Sequence, residues 1–193
     1  MSYLLQEGPI QIAIYGGSFN PPHVAHAMVS AWLLWTRQVD AVWLVPVYRH
    51  AFEGRQDKTL APYARRLAWC RQMAADLRVP VEVSDIESRL PVPSYTIDTL
   101  RHLAAEHPEH QFRLVIGADV IPQLPAWRDW DSIDRDFSPI VVGRVGYDGP
   151  DGAVSFPGVS STAIRQRVAS GAPFDHLVTA GVSADILAHG WPG

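Results

Sequence analysis

Cysteine is almost absent from this chain of 193 residues: Cys70 is the only one, so no internal disulfide forms and no oxidising compartment is implied. Long apolar runs are missing too. No stretch approaches the ~18 uninterrupted apolar residues of a membrane span. The opening MSYLLQEGPI lacks a basic segment followed by a long apolar one, so no signal peptide is expected. Charged residues make up 19%, and 16 basic against 20 acidic side chains leave a net charge of −4. A net negative chain is poorly suited to nucleic-acid backbones. A local positive pocket for a small phosphorylated ligand stays open. With 47% apolar residues the chain is not a disordered one. What remains is a soluble cytoplasmic protein of one domain, residues 1–193, without membrane or nucleic-acid partners. Nothing fixes an oligomeric state, and a homo-oligomer stays open.

Proline is plentiful, at 16 residues without a repeat, which points to many defined turns. Ile10 to Tyr15 is a short run bounded by Pro9 and Gly16-Gly17, suited to a buried strand. Asn20-Pro21-Pro22 reads as a helix start, followed by Val24, Met28, Ala31, Trp32 and Trp35 at helical spacing. Ala41–Val47 is a second strand and Arg49–Thr59 a loop. Leu67, Cys70, Met73, Ala74 and Leu77 mark an amphipathic helix, Val79–Val83 a short strand, and Tyr95–Ala105 a helix with Ser94 as its cap. Strands follow at Phe112–Ile116 and Ile140–Val142, and short helices broken by Gly171 and Pro173 fill the tail from about residue 160. Strand and helix alternate, which argues for an α/β fold with a mainly parallel sheet and right-handed crossovers.

Three groups of residues carry chemistry. Gly16-Gly17-Ser18-Phe19 joins the first strand to a helix, where backbone N–H groups and the helix dipole favour a phosphate. The spacing fits neither the P-loop nor GxGxxG, and a plain tight turn is the alternative. His23 and His26 lie three apart at the start of that helix and so share a face. Two imidazoles there can donate to phosphate oxygens; a solvated pair, or a zinc pair lacking a third ligand, are the alternatives. Ser160-Ser161-Thr162-Ala163-Ile164-Arg165 puts three hydroxyls and an arginine at another helix start, with Ser160 as its cap. An ordinary cap with a surface arginine is the bland reading.

Taken together, these segments resemble a known superfamily. Gly17-Ser18-Phe19-Asn20-Pro21-Pro22-His23-Val24-Ala25-His26 is similar to the G-x-F-x-P-x-H-x-G-H signature of the nucleotidyltransferases, and Val159–Arg165 (VSSTAIR) to their I-S-S-T-x-I-R signature, about 140 residues away. Ser94–Leu100 (SYTIDTL), Gly117-Ala118-Asp119 and Leu124-Pro125-Ala126-Trp127 resemble the bacterial nicotinate-nucleotide adenylyltransferases. The resemblance implies a Rossmann-like fold with a small helical C-terminal subregion. It also implies adenylyl transfer from ATP to nicotinate mononucleotide, giving deamido-NAD and pyrophosphate.

The same resemblance implies roles. Gly16, Gly17, Ser18 and Phe19 line the ATP site, His23 and His26 contact its phosphates, and Ser160, Ser161, Thr162 and Arg165 form a second phosphate clamp. Thr96, Gly117, Asp119, Trp127 and Arg144 serve the pyridine nucleotide, with Thr96 and Trp127 at the ring and Asp119 at the ribose. Lys58 is the phosphate lysine of the 48–58 loop, with Arg49 and Arg55 as rivals. Mg2+ travels with ATP rather than in a protein cage. Ala25 departs from the pattern, since the signature has glycine there. A nicotinamide-mononucleotide enzyme, and a nucleotide-binding protein without activity, are the alternatives.

Overall fold

A computed structural model of the chain describes residues 9–49, 60–147 and 149–192. Six strands form one parallel sheet: β1 (Gln11–Gly17), β2 (Ala41–Pro46), β3 (Val81–Val83), β4 (Gln111–Gly117), β5 (Ile140–Arg144) and β6 (Ser155–Phe156). Their spatial order is β3-β2-β1-β4-β5-β6, the doubly wound Rossmann order. Helices α1 (Val24–Trp35), α2 (Tyr63–Leu77), α3 (Thr96–Glu106) and α4 (Trp130–Phe137) accompany the strands, and α5 (Ser161–Ser170) and α6 (Ala180–His189) form the C-terminal helices. Among the described residues no helix is long and apolar enough to cross a membrane.

β1 is central, between β2 and β4, and a central parallel strand is covered on both faces. Ile12 and Ile14 pack with Ile97, Leu100 and Leu103 of α3 and with Ile133 and Phe137 of α4. Ala13, and beside it Tyr15, pack with Leu33 of α1, with Trp69, Cys70 and Met73 of α2, and with Val182 and Ile186 of α6. Each buried Ile or Leu contributes roughly 1.5–3 kcal/mol of transfer free energy.

The structure revises several details. The prolines precede α1 rather than occupying its first turn: His23 is the N-cap. The inward face of α1 is Ala25, Ala27, Val29, Ser30 and Leu33, not the predicted stripe; Met28 is 44% and Trp35 89% exposed. That helix is apolar nearly all round, so spacing alone does not choose the face. Close approach to the sheet does, and it selects the small side chains. Ser94 does not cap α3, whose N-cap is Tyr95; its hydroxyl accepts from Arg49 N–H at 3.4 Å. Among the α-helices and strands, α4 with eight residues and β6 with two escaped the sequence reading, both too short to display a period. The helical tail is fixed to α2: Trp69 Nε1 donates to Asp185 at 2.5 Å, Arg65 pairs with Asp185 at 2.8 Å, and Asp76 accepts from Gly181 N–H at 2.7 Å.

Candidate active site

In this strand order the chain winds away in opposite directions from β1 and β4, leaving a crevice beyond their carboxyl ends, where doubly wound sheets bind ligands. Gly16 and Gly17 end β1, and Gly117 ends β4. A Cβ added at Gly16 would meet no atom of the described residues within 4 Å. One at Gly17 would press the Phe19 ring at 3.3 Å. Phe19 sits in the left-handed region at φ 45° and is only 2% exposed. Core packing therefore holds a conformation that costs an L side chain energy. The Ser18 carbonyl accepts from an Arg66 guanidinium N–H at 2.9 Å.

His23 and His26 come together as a stacked pair, ring centroids 3.7 Å apart and planes 24° from parallel. The His23 backbone N–H donates to His26 Nδ1 at 3.1 Å, so the proton of a neutral His26 sits on Nε2. Tyr15 and Phe19 meet the His26 ring edge-on at 5.7 and 4.9 Å. Burial, then the Arg144 charge, lowers the His23 pKa to about 4. Burial, then His23 and Arg144, holds His26 well below its ordinary 6.5. Both rings are neutral at pH 7. They are hydrogen-bond donors rather than charges.

The C-terminal signature lies against the first one. Ser160 caps α5, accepting from Ala163 N–H at 3.2 Å. Ser161 Oγ donates to the Pro21 carbonyl at 2.9 Å, and Arg165 donates to the Asn20 carbonyl at 3.0 Å and to Thr162 Oγ1 at 3.1 Å. The Ser161 proton is thus used inside the protein. Among the described residues these bonds use two of the five N–H donors of the Arg165 guanidinium.

Asp119 and Arg144 form an ion pair at 2.7 Å. The Asp119 carboxylate folds back over Gly117, where any Cβ would collide with it. Arg144 also donates to the Val159 carbonyl at 3.2 Å and lies 5.7 Å from the Tyr147 ring. None of these partners is on α3, and the arginine's charge acts on His23 and His26. Thr96 and Trp127 form a second group. Thr96 opens α3, which has no side-chain cap. Arg128 joins this helix start to the Trp127 segment through Asp98 at 3.0 Å and the Tyr95 ring at 4.8 Å. Trp127 is half-buried and edge-on to Trp130 at 6.1 Å, so its ring is partly committed to packing. Lys58 and Arg55 lie outside the described residues.

Three residues of this region went unpredicted. Tyr15 has its hydroxyl pKa raised by burial and by Asp119. Arg66 occupies the helical stripe of Cys70 and Met73, where a charge inside an apolar period is a readable signal. Glu87 has no such signal; it accepts from Tyr48 N–H at 2.9 Å and from Thr99 Oγ1 at 3.4 Å. Asp119 brings a carboxylate to the crevice, paired with Arg144. His107, Glu109 and His110 could converge on a metal. They sit before the start of β4, at the opposite end of the strands, beside a cavity of about 630 Å³ that Gln11, His110 and Arg113 line.

Comparison with known proteins bears on the family and the fold. Residues 14–167 match the cytidylyltransferase-like family model. A curated relative from Anaeromyxobacter sp. (strain K), named "Probable nicotinate-nucleotide adenylyltransferase", is 45% identical over 174 residues, covering 89% of this chain and 90% of that protein. Another of the same name from Myxococcus xanthus (strain DK1622) is 37% identical over 185 residues, covering 95% of each. The solved structure of Plasmodium falciparum nicotinic acid mononucleotide adenylyltransferase complexed with NaAD aligns with a TM-score of 0.76 over 93% of this chain and 95% of that one. At 19% identity it speaks for the fold alone. Sequence relatives of that identity and coverage, on a sheet of this order, make the chain a member of the nicotinate-nucleotide adenylyltransferase family.

Proposed function

We propose that this protein, acting in the cytoplasm, transfers the adenylyl group of MgATP to nicotinate mononucleotide. A phosphate oxygen of the mononucleotide attacks the α-phosphorus of ATP, the α–β bridging bond breaks, and pyrophosphate leaves with the bonding electrons. The attacking phosphate is already ionised, so no protein base is required. Catalysis comes from holding attacker and leaving group in line and from donors aimed at phosphate oxygens. The Gly16–Phe19 backbone borders the ATP site. His26 donates from Nε2, and Arg165 supplies positive charge through its remaining N–H groups. Lys58, outside the described residues, adds a second charge on this reading. Mg2+ enters with the nucleotide phosphates, the usual habit of this ion.

At the acceptor end, α3 offers uncapped first-turn N–H groups, the Thr96 hydroxyl and the positive end of its dipole. Asp98 in that turn is paired with Arg128, which lessens its repulsion of a nicotinate carboxylate. Donors alone favour a carboxylate over an amide, whose NH₂ would face other donors. Trp127 stacks on the pyridine ring, and Asp119 serves the ribose.

The observation that carries this reading is the seam at the switch point, where Ser161 and Arg165 bind the carbonyls of Pro21 and Asn20. It joins the two signature segments, which supports a shared phosphate site. The test is pyrophosphate release from MgATP with nicotinate and nicotinamide mononucleotide side by side. Acceptor-dependent release favouring nicotinate supports the proposal. Equal rates would make the enzyme dual-specific, and no acceptor-dependent release would leave a nucleotide-binding protein without this activity.

A further inference from the structure

Arg66 is the most unusual polar group near the crevice. It lies in the first turn of α2, 2% exposed. Among the described residues no carboxylate comes within ion-pair distance of it. Burying a cation without a paired anion is costly, and such a residue persists where its hydrogen bonds are needed. Its Nε–H donates to the Ala61 carbonyl at 3.0 Å and an Nη–H to the Ser18 carbonyl at 2.9 Å. Tyr63 lies beneath it at 5.5 Å.

Both carbonyls belong to one assembly. Ala61 N–H donates to Asn20 Oδ1 at 3.0 Å, so Ala61 is tied to the phosphate loop and to Arg66 at once. From the other flank Arg165 and Ser161 take the carbonyls of Asn20 and Pro21. Three carbonyls of the loop, at positions 18, 20 and 21, are therefore drawn onto protein donors. A loop that binds an anion must turn its N–H groups toward the ligand and its carbonyls away. The Ser18–Phe19 peptide is trans, so with the carbonyl held by Arg66 the Phe19 N–H faces the opposite side. Phe19 itself is left-handed, at φ 45°, so the chain turns sharply at this residue.

We propose that Arg66 is a positioning residue for the nucleotide: by gripping Ser18 and Ala61 together it fixes the Ser18–Phe19 peptide so that the Phe19 N–H binds an ATP phosphate. The inference rests on the adenylyl-transfer reading for the identity of the anion. Lysine is a poor substitute, because one ammonium lacks the rigid fork that serves two carbonyls. The grip is also selective. Among the described residues its hydrogen bonds go to Ser18 and Ala61 and none goes to α3.

The experiment compares wild type with Arg66→Met and Arg66→Lys. Binding of a non-hydrolysable ATP analogue is followed by calorimetry, and KM for ATP and for nicotinate mononucleotide by pyrophosphate release. Loss of an N–H to a charged phosphate oxygen weakens binding about tenfold or more. Arg66→Met is expected to raise the analogue Kd and the KM for ATP by about that factor, with acceptor KM within about twofold of wild type. Arg66→Lys is expected to fall between. A folded Arg66→Met with wild-type ATP affinity overturns the proposal, as does a parallel rise of both KM values alongside a lowered Tm. If Arg66→Met does not fold, unchanged ATP affinity in Arg66→Lys overturns it. If wild type turns over neither mononucleotide, the enzymatic reading fails, and the calorimetry still decides the Arg66 inference.

Discussion

The stacked histidines give an acid-sensitivity that can be worked out in numbers. His23 is 6% exposed, and burial followed by the Arg144 charge holds its pKa at about 4, against 6.5 for a free imidazole. The unfolded chain therefore takes up a proton as pH falls through 6.5, while the folded protein resists until about 4. In that window the unfolded state binds more protons, so stability falls with falling pH. Above 6.5 the ring is neutral in both states and His23 adds no slope. Held neutral across that whole window, His23 alone accounts for a loss of about 3 kcal/mol by pH 4. Native domains have only about 5–15 kcal/mol in hand. His26 is lowered in the same direction and adds to the slope. Urea unfolding of wild type and His23→Asn at pH 7, 6, 5 and 4.5 measures this term together with its coupling to His26, whose pKa His23 helps to lower. Asparagine suits an N-cap, so the variant should fold. The stability difference between the two should shift in favour of the variant by about 2–3 kcal/mol across the range. The His23 ring proton should titrate near 4 by NMR. A His23 titration near 6.5, or parallel stability profiles for the two proteins, would refute the reasoning.

Further outcomes follow from the crevice. Gly16→Ala adds a methyl that meets no atom of the described residues within 4 Å; Tm should hold within about 2 °C, while the KM for ATP rises if the nucleotide occupies that space, and unchanged kinetics would remove Gly16 from the site. His26→Ala should lower turnover about 100-fold, the usual cost of an oriented donor; because His26 Nδ1 also accepts the His23 N–H, about 1 kcal/mol of stability should go with it, and full activity would dismiss the donor role. Trp127→Ala should weaken both pyridine mononucleotides alike, whereas Thr96→Val should narrow the gap between them; steady-state kinetics with each acceptor checks both.

The strand–helix alternation and the parallel sheet were legible in the chain, because β-branched runs such as Ile10–Tyr15 and the 3.6-residue period of Leu67, Cys70, Met73 and Leu77 are local signals. The Gly16-Gly17 turn, the Ser160 cap and the two signatures were legible for the same reason: each is a short run whose chemistry depends on immediate neighbours. Tertiary structure alone decided the rest. It chose the alanine face of α1 over the stripe that leaves Trp35 exposed, since sheet packing favours small residues where spacing permits either face. It put Arg144 beside the histidines, although 118 residues separate it from His26. It gave Arg66 two carbonyl partners, Ser18 being 48 positions away. It also left His23 and His26 uncharged. Protonation depends on burial and on distant charge summed over a whole environment, and only the folded chain creates that environment.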